Sequence, residues 1–262
     1  MELRFHNPGF AYSLDSIMEF LTDEDADSWS SSLFVFYPGL DKTHMMSLRM
    51  EERRGYLAEI LGRVYGENES LFHEKAELYE KHWQEYKCQV NEAFSEAFHM
   101  DCTGDFNNMI GNITLNPIGP RYLETTSFDV FYRNSERGAL GVALHEMVHF
   151  VWFDVWRRHF RDDPSCYERP HLEWILSEMA VESIMRDERL CSINPYFPRD
   201  YEKNQNGCVY GCFYDMKVEG MPILSTLYEK RRGLNITDYM EWGYEYCRKH
   251  EQEIRRQMGG YL

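Results

Sequence analysis

Apolar positions in this chain recur at helical spacing through most of its length. From Lys42 to about Tyr65 the pattern is that of a helix, closed by Gly66. Between Ser70 and His99, Leu71, Leu78, Trp83, Tyr86, Val90, Phe94 and Phe98 fall near the helical repeat of about 3.6 residues, with a charged opposite face. Ser32–Tyr37, the run SLFVFY, is β-branched and aromatic and predicts a short strand. Between residues 101 and 134 the chain is punctuated by turn residues, and Ile113–Leu115 and Ser127–Tyr132 read as strands. Ser135 is suited to be the N-cap of a helix from about Glu136 to Arg158, with the acid Glu136 in its first turn. Residues 161–170 form a loop, and a further helix is expected from about His171 to Asp187. An irregular stretch from Asn194 to Gly220 precedes two last helices, near Pro222–Arg232 and Thr237–Met258.

These elements predict an α+β chain, mainly helical, with a small sheet packed on the Glu136–Arg158 helix and a helical C-terminal part. Three regions of what is expected to be one compact unit follow: an N-terminal mainly helical region over 1–100, a core over 101–190, and a C-terminal helical region over 191–262.

The Glu136–Arg158 helix carries the run His145-Glu146-Met147-Val148-His149. Residues four apart on a helix differ by about 40° in direction and about 6 Å in height, so the two imidazoles share a face and can converge on one ion. Glu146 lies about 100° around from His145, within reach of a water on that ion without being a ligand. Ala139, Leu140, Val142, Ala143, Leu144, Met147 and Val148 make the surrounding helix apolar. Two histidines and a glutamate buried in such a helix need partners, and a metal supplies them. Imidazole suits zinc, which acidifies a bound water, and a neighbouring carboxylate takes the proton. Trp152 and Trp156 extend the same face and read as core packing.

This HExxH run on a buried helix resembles the zincin superfamily of metallopeptidases. The metzincin branch requires Gly at 152 and His at 155, where this chain has Trp152 and Val155. The gluzincin branch takes a glutamate from a second helix as third ligand. Over Trp174–Glu182 the resemblance places Glu178 as that ligand, and Glu182 as the acid that orients a ligating histidine. The interval from His149 to Glu178 is longer than in the familiar members. On the residues alone, His171, Glu173 and Glu182 compete with Glu178 for the third position; the apolar neighbours Ile175, Met179 and Val181 favour Glu178 as a buried carboxylate that needs a cation. The resemblance also implies that Ser127–Tyr132 is an edge strand open to an extended peptide, while on the residues alone it reads equally as a core strand with no substrate role. It further implies a donor to an oxyanion from the C-terminal part, for which Tyr210, Tyr214 and His250 are the candidates. The implied function is hydrolysis of a peptide bond in a peptide or protein substrate, with zinc as cofactor and Glu146 as general base. A non-catalytic zinc-binding or regulatory protein, and a helical interaction protein with a coincidental HExxH, are the alternatives.

Charge and cysteine content narrow the partners. Acidic residues number 44 against 28 basic, a net charge of −16. Such a chain repels phosphate backbones and anionic membranes, so neither nucleic acid nor a membrane is expected as a partner. No apolar run reaches the ~20 residues a membrane span needs. The seven cysteines are an odd number at irregular positions, which fits reduced thiols and a cytoplasmic location. Cys208 and Cys212 are spaced as a metal pair, but no second pair follows. Oligomeric state is not encoded in any of these features.

Overall fold

The structure, a computed structural model, describes residues 1–21, 31–102, 104, 106–160, 163–186, 188–193 and 210–259. Among the described residues it is mainly helical, with one mixed four-stranded sheet and one two-stranded sheet. The chain divides into two compact units. One is formed by Glu2–Glu85 with Asn107–Val142, the other by Met1, Tyr86–Phe106 and Ala143–Leu262.

The first unit contains β1 (Leu3–His6), α1 (Phe10–Met18), α2 (Ser31–Phe36), α3 (Lys42–Ser47), α4 (Met50–Glu67), most of α5 (Glu69–Phe98), β2 (Met109–Thr114), β3 (Arg121–Tyr122), β4 (Ser127–Phe131) and the start of α6 (Glu136–His159). Sheet order is β1-β2-β4-β3. The first three run parallel, with Leu3 opposite Met109 and Ile110 opposite Ser127, and β3 pairs antiparallel to β4. Gly111 allows the tight packing over β2: a Cβ there would lie 2.5 Å from the Phe5 ring and 3.3 Å from that of Phe128. Ser135 caps α6 as its sequence predicts, its Oγ accepting from Gly138 N–H at 3.1 Å.

Three sequence expectations are corrected here. Ser32–Tyr37 does not form a strand; Ser31–Phe36 is a helical turn and a half, with Tyr37 N–H donating to Leu33 C=O at 2.9 Å. A short continuous apolar run has no period to separate strand from helix. Leu33 is buried and Val35 exposed, while Phe36 packs on Phe131 at 4.7 Å. The helix expected over Lys42–Tyr65 is two helices, broken at Leu48 and Arg49, both in extended conformation. Arg53 explains the break: its buried guanidinium donates to the carbonyls of Leu48, Met46 and Leu21, while Glu52 reaches back to Arg49 N–H at 3.1 Å. Finally, Ser127–Tyr132 is not an edge. β4 has β2 on one side and β3 on the other, with Phe128 opposite Arg121 and Ser127 opposite Tyr122.

A buried polar knot ties the sheet of the first unit to α1. Asp129, wholly buried, accepts from Ser16 Oγ at 2.5 Å, Tyr12 Oη at 3.0 Å and Asn112 Nδ2 at 3.3 Å. Burial pushes its carboxyl up to about 6, against the downward pull of these three donors. An acid whose pKa is raised by folding binds its proton more tightly in the folded state. Its contribution to stability is therefore full below the unfolded value near 3.8 and is lost as pH rises through about 6. Measured by urea unfolding, the stability of wild type relative to Asp129→Asn is expected to fall by about 2 kcal/mol between pH 4 and 7. A relative stability that rises with pH would mean that the hydrogen bonds outweigh burial.

The second unit holds α6 from Ala143 onward, a 3-10 turn (Pro164–Tyr167), α7 (Leu172–Met185), α8 (Glu188–Ile193), α9 (Gly211–Asp215), the hairpin β5 (Lys217–Val218) and β6 (Met221–Pro222), and α10 (Ile223–Gly233), α11 (Ile236–Lys249) and α12 (Glu251–Met258). The last two were expected as one helix; His250 breaks it, with φ −110° and ψ 15°. Every residue of α7 except Glu173 is buried, the mark of a helix enclosed on all sides. It packs against α10 and α11, and Gly243 of α11 permits the approach, since a Cβ there would stand 3.0 Å from Leu176 Cδ1. Trp152 meets Tyr239 of α11 edge-on at 6.1 Å, in the core of this unit.

Candidate metal centre

α6 and α7 bring three donors together within the second unit. The i,i+4 spacing turns both imidazoles the same way, with His145 Nε2 and His149 Nε2 3.1 Å apart. From α7, Glu178 Oε2 lies 3.6 Å from His145 Nε2 and Glu178 Oε1 lies 3.5 Å from His149 Nε2. His149 is fully buried and stacks on Phe153, their centroids 6.3 Å apart, which fixes its ring plane. Glu178 is 1% exposed, so a carboxylate has been carried into an apolar helix to face two imidazoles. His145 keeps 21% of its side chain exposed, and the cluster opens to solvent on that side.

This donor set fits a metal ion. Bonds of about 2.0–2.1 Å in tetrahedral geometry place ligand atoms about 3.3–3.4 Å apart, close to the three separations observed. Two facing imidazole nitrogens can share only one proton between them, whereas one cation accepts both lone pairs and balances the carboxylate. Glu146, His145 and His149 also form a compact group, one donor atom from each lying within 4.8 Å of the others. Of the two carboxylates, Glu178 has its oxygens split between both histidines, 3.6 and 3.5 Å from their Nε2 atoms. Glu146, 7% exposed on α6, is the second carboxylate beside them and belongs to the compact group that could hold the ion.

Of the remaining residues singled out from sequence, Glu182 lies one turn beyond Glu178 and is 3% exposed. Its Oε1 accepts from Arg186 Nε at 3.1 Å, and the Tyr214 hydroxyl of α9 lies 3.5 Å from its Oε2. Arg186 in turn lies over the Tyr228 ring, 4.7 Å from its centroid. Tyr214 is thus tied to the helix of the third donor. Tyr210 meets Trp174 at 5.7 Å and Phe213 at 6.1 Å. His250 is taken up elsewhere, by Tyr246 at 4.9 Å and Glu219 at 3.7 Å. His171 is the exposed N-cap residue of α7, and Glu173 faces a separate cavity with Tyr244. Cys208 lies outside the described residues; Cys212 is a half-buried thiol whose pKa burial pushes up to about 11. Sequence reasoning missed Arg186, whose signal is its i,i+4 spacing from Glu182.

No helix of the described residues is long and apolar enough to cross a membrane. Comparison with protein-family models, with curated proteins and with solved structures finds no match for this chain.

Proposed function

We propose that the chain is a zinc-dependent peptidase of zincin type, hydrolysing a peptide bond with His145, His149 and Glu178 as metal ligands and Glu146 as general base. The observation that carries this reading is the buried triangle of two imidazole nitrogens and a carboxylate, with edges of 3.1, 3.5 and 3.6 Å. When bound there, zinc would supply Lewis acidity, polarising a carbonyl and bringing the pKa of a coordinated water toward neutrality.

The chain's own residues supply the rest. Glu146 takes a proton from the attacking water at a carboxylate oxygen and returns it to the leaving amine. Phe153 holds the His149 ring, and Arg186 anchors Glu182 one turn beyond the third ligand on the same helix. The exposed side of His145 leaves access for a substrate, which a site built only to store an ion does not need. Tyr214 is the candidate donor to a developing oxyanion, held through Glu182.

Elemental analysis of protein reconstituted with zinc and freed of loosely bound metal is expected to find one zinc per chain. A library of extended peptides should be cleaved, with activity abolished by a chelator and restored by zinc. Absence of stoichiometric metal after reconstitution would overturn the whole reading. A zinc-loaded chain that cleaves nothing in a broad library would overturn the peptidase and leave a zinc-binding protein.

A further inference from the structure

A cavity of about 340 Å³ in the second unit is built from the same two helices as the metal centre, with the 3-10 turn and α11. Its volume lies at the low end of the roughly 300–1,000 Å³ of small-ligand sites, the size of one side chain or a small molecule. Its apolar lining is aromatic. Trp156 is held between Phe160, at 4.6 Å, and Tyr244, at 5.4 Å, and Tyr167 contributes a further ring. Its polar lining is acidic: Glu173 from α7 and Glu241 from α11, with Asp163 and Glu245 beside them, and no lysine or arginine among the described residues. Glu245 is paired with Arg248 at 2.7 Å.

Rings and carboxylates around one small space select for a cation with an apolar or delocalised surface. Aromatic faces attract cations through the ring quadrupole, and carboxylates add charge-assisted hydrogen bonds. Two neighbouring groups report the same field. The Tyr244 phenol and the Cys166 thiol are both pushed up, first by burial and then by the negative charge of Glu173. The Glu173 share of both shifts is that of a negative charge, which favours a positive guest.

We propose that this cavity binds an organic cation, a guanidinium or alkylammonium group, and that it takes a basic side chain of the polypeptide substrate. The second part rests on the peptidase reading; the first does not. Its placement supports the link. Trp156 follows His149 by two helical turns on α6, about 10 Å along the axis. Phe153, between them, stacks on His149 on one side and on Tyr167 of the cavity wall, at 4.3 Å, on the other. Ten ångströms is about three residues of extended chain, so the basic residue would stand about three positions from the bond to be cleaved.

The test is calorimetric titration of the full chain with Nα-acetylarginine methylamide, its citrulline counterpart and tetramethylammonium. The two cations are expected to bind, with the neutral citrulline probe at least about tenfold weaker. Glu173→Gln combined with Glu241→Gln should weaken both cations by about tenfold or more. Equal binding of the citrulline probe, or indifference to the double variant, would overturn the cation site. An extended peptide bearing one arginine should bind more tightly than the single-residue probe. If the two bind alike, the site serves a free small cation and the substrate assignment fails. Cation binding by a chain that cleaves nothing would sink the peptidase reading while the cation site stands.

Discussion

Glu146→Gln is expected to keep its zinc and its fold and to lose about 100- to 10,000-fold in kcat on any peptide the wild type cleaves. The substitution preserves the shape of a residue that is 7% exposed, so the packing of α6 around it is undisturbed. It removes the carboxylate that the His145–Glu146–His149 group places within 4.8 Å of a ring nitrogen of each histidine. If Glu146 only helped to store an ion, its replacement by a neutral amide would lower metal affinity and leave no catalytic signature. If it is the base, metal content and thermal stability stay near wild type while turnover collapses. The decisive pair of measurements is zinc stoichiometry beside kcat. Undiminished turnover in this variant would show that the proton goes elsewhere, and loss of zinc together with turnover would make Glu146 a ligand.

Why some features were legible and others not follows from the range over which each is encoded. The histidine pair is local: four residues of helix fix both direction and height, and the pair stands 3.1 Å apart as that geometry requires. Glu178 was visible as a carboxylate amid Ile175, Met179 and Val181, because an acid in an otherwise apolar helix stands out. Its meeting with the histidines, by contrast, depends on how α6 and α7 pack. The Arg186–Glu182–Tyr214 link is half local, since Arg186 is one turn from Glu182, and half tertiary, since Tyr214 arrives from α9. The cavity could not be read at all. Trp156, Tyr167, Glu173 and Tyr244 come from four separate elements with no shared period. Elsewhere short range misled. Leu3–His6 alternates buried and exposed over four residues, too few to stand out, and became a strand through pairing with β2. SLFVFY has strand composition but became α2. Ser127–Phe131 was correctly placed as a strand, yet only the two-residue β3 decides that it is not an edge.

Removing a ligand is expected to show most strongly in stability. A metal that binds only the folded chain stabilises it by an amount that grows with the ratio of its concentration to Kd, about 4 kcal/mol at a thousandfold excess. For a chain of this size that corresponds to a rise in Tm on the order of 10 °C. Saturating zinc should produce this rise in the metal-free wild type, and His149→Ala should show none of it. Glu178→Gln is the more discriminating variant. It keeps the shape at a site 1% exposed but withdraws the charge that faces both histidines at 3.5 and 3.6 Å. The zinc-induced rise should shrink severely, while His171→Ala, at the exposed start of α7, should behave as wild type. Titrating zinc against Tm for the four proteins separates the cases. A full rise in Glu178→Gln with loss in His171→Ala would move the third ligand to His171. A full rise in both would leave the two histidines to hold the ion with a donor from elsewhere, and the triangle drawn from α6 and α7 would be wrong.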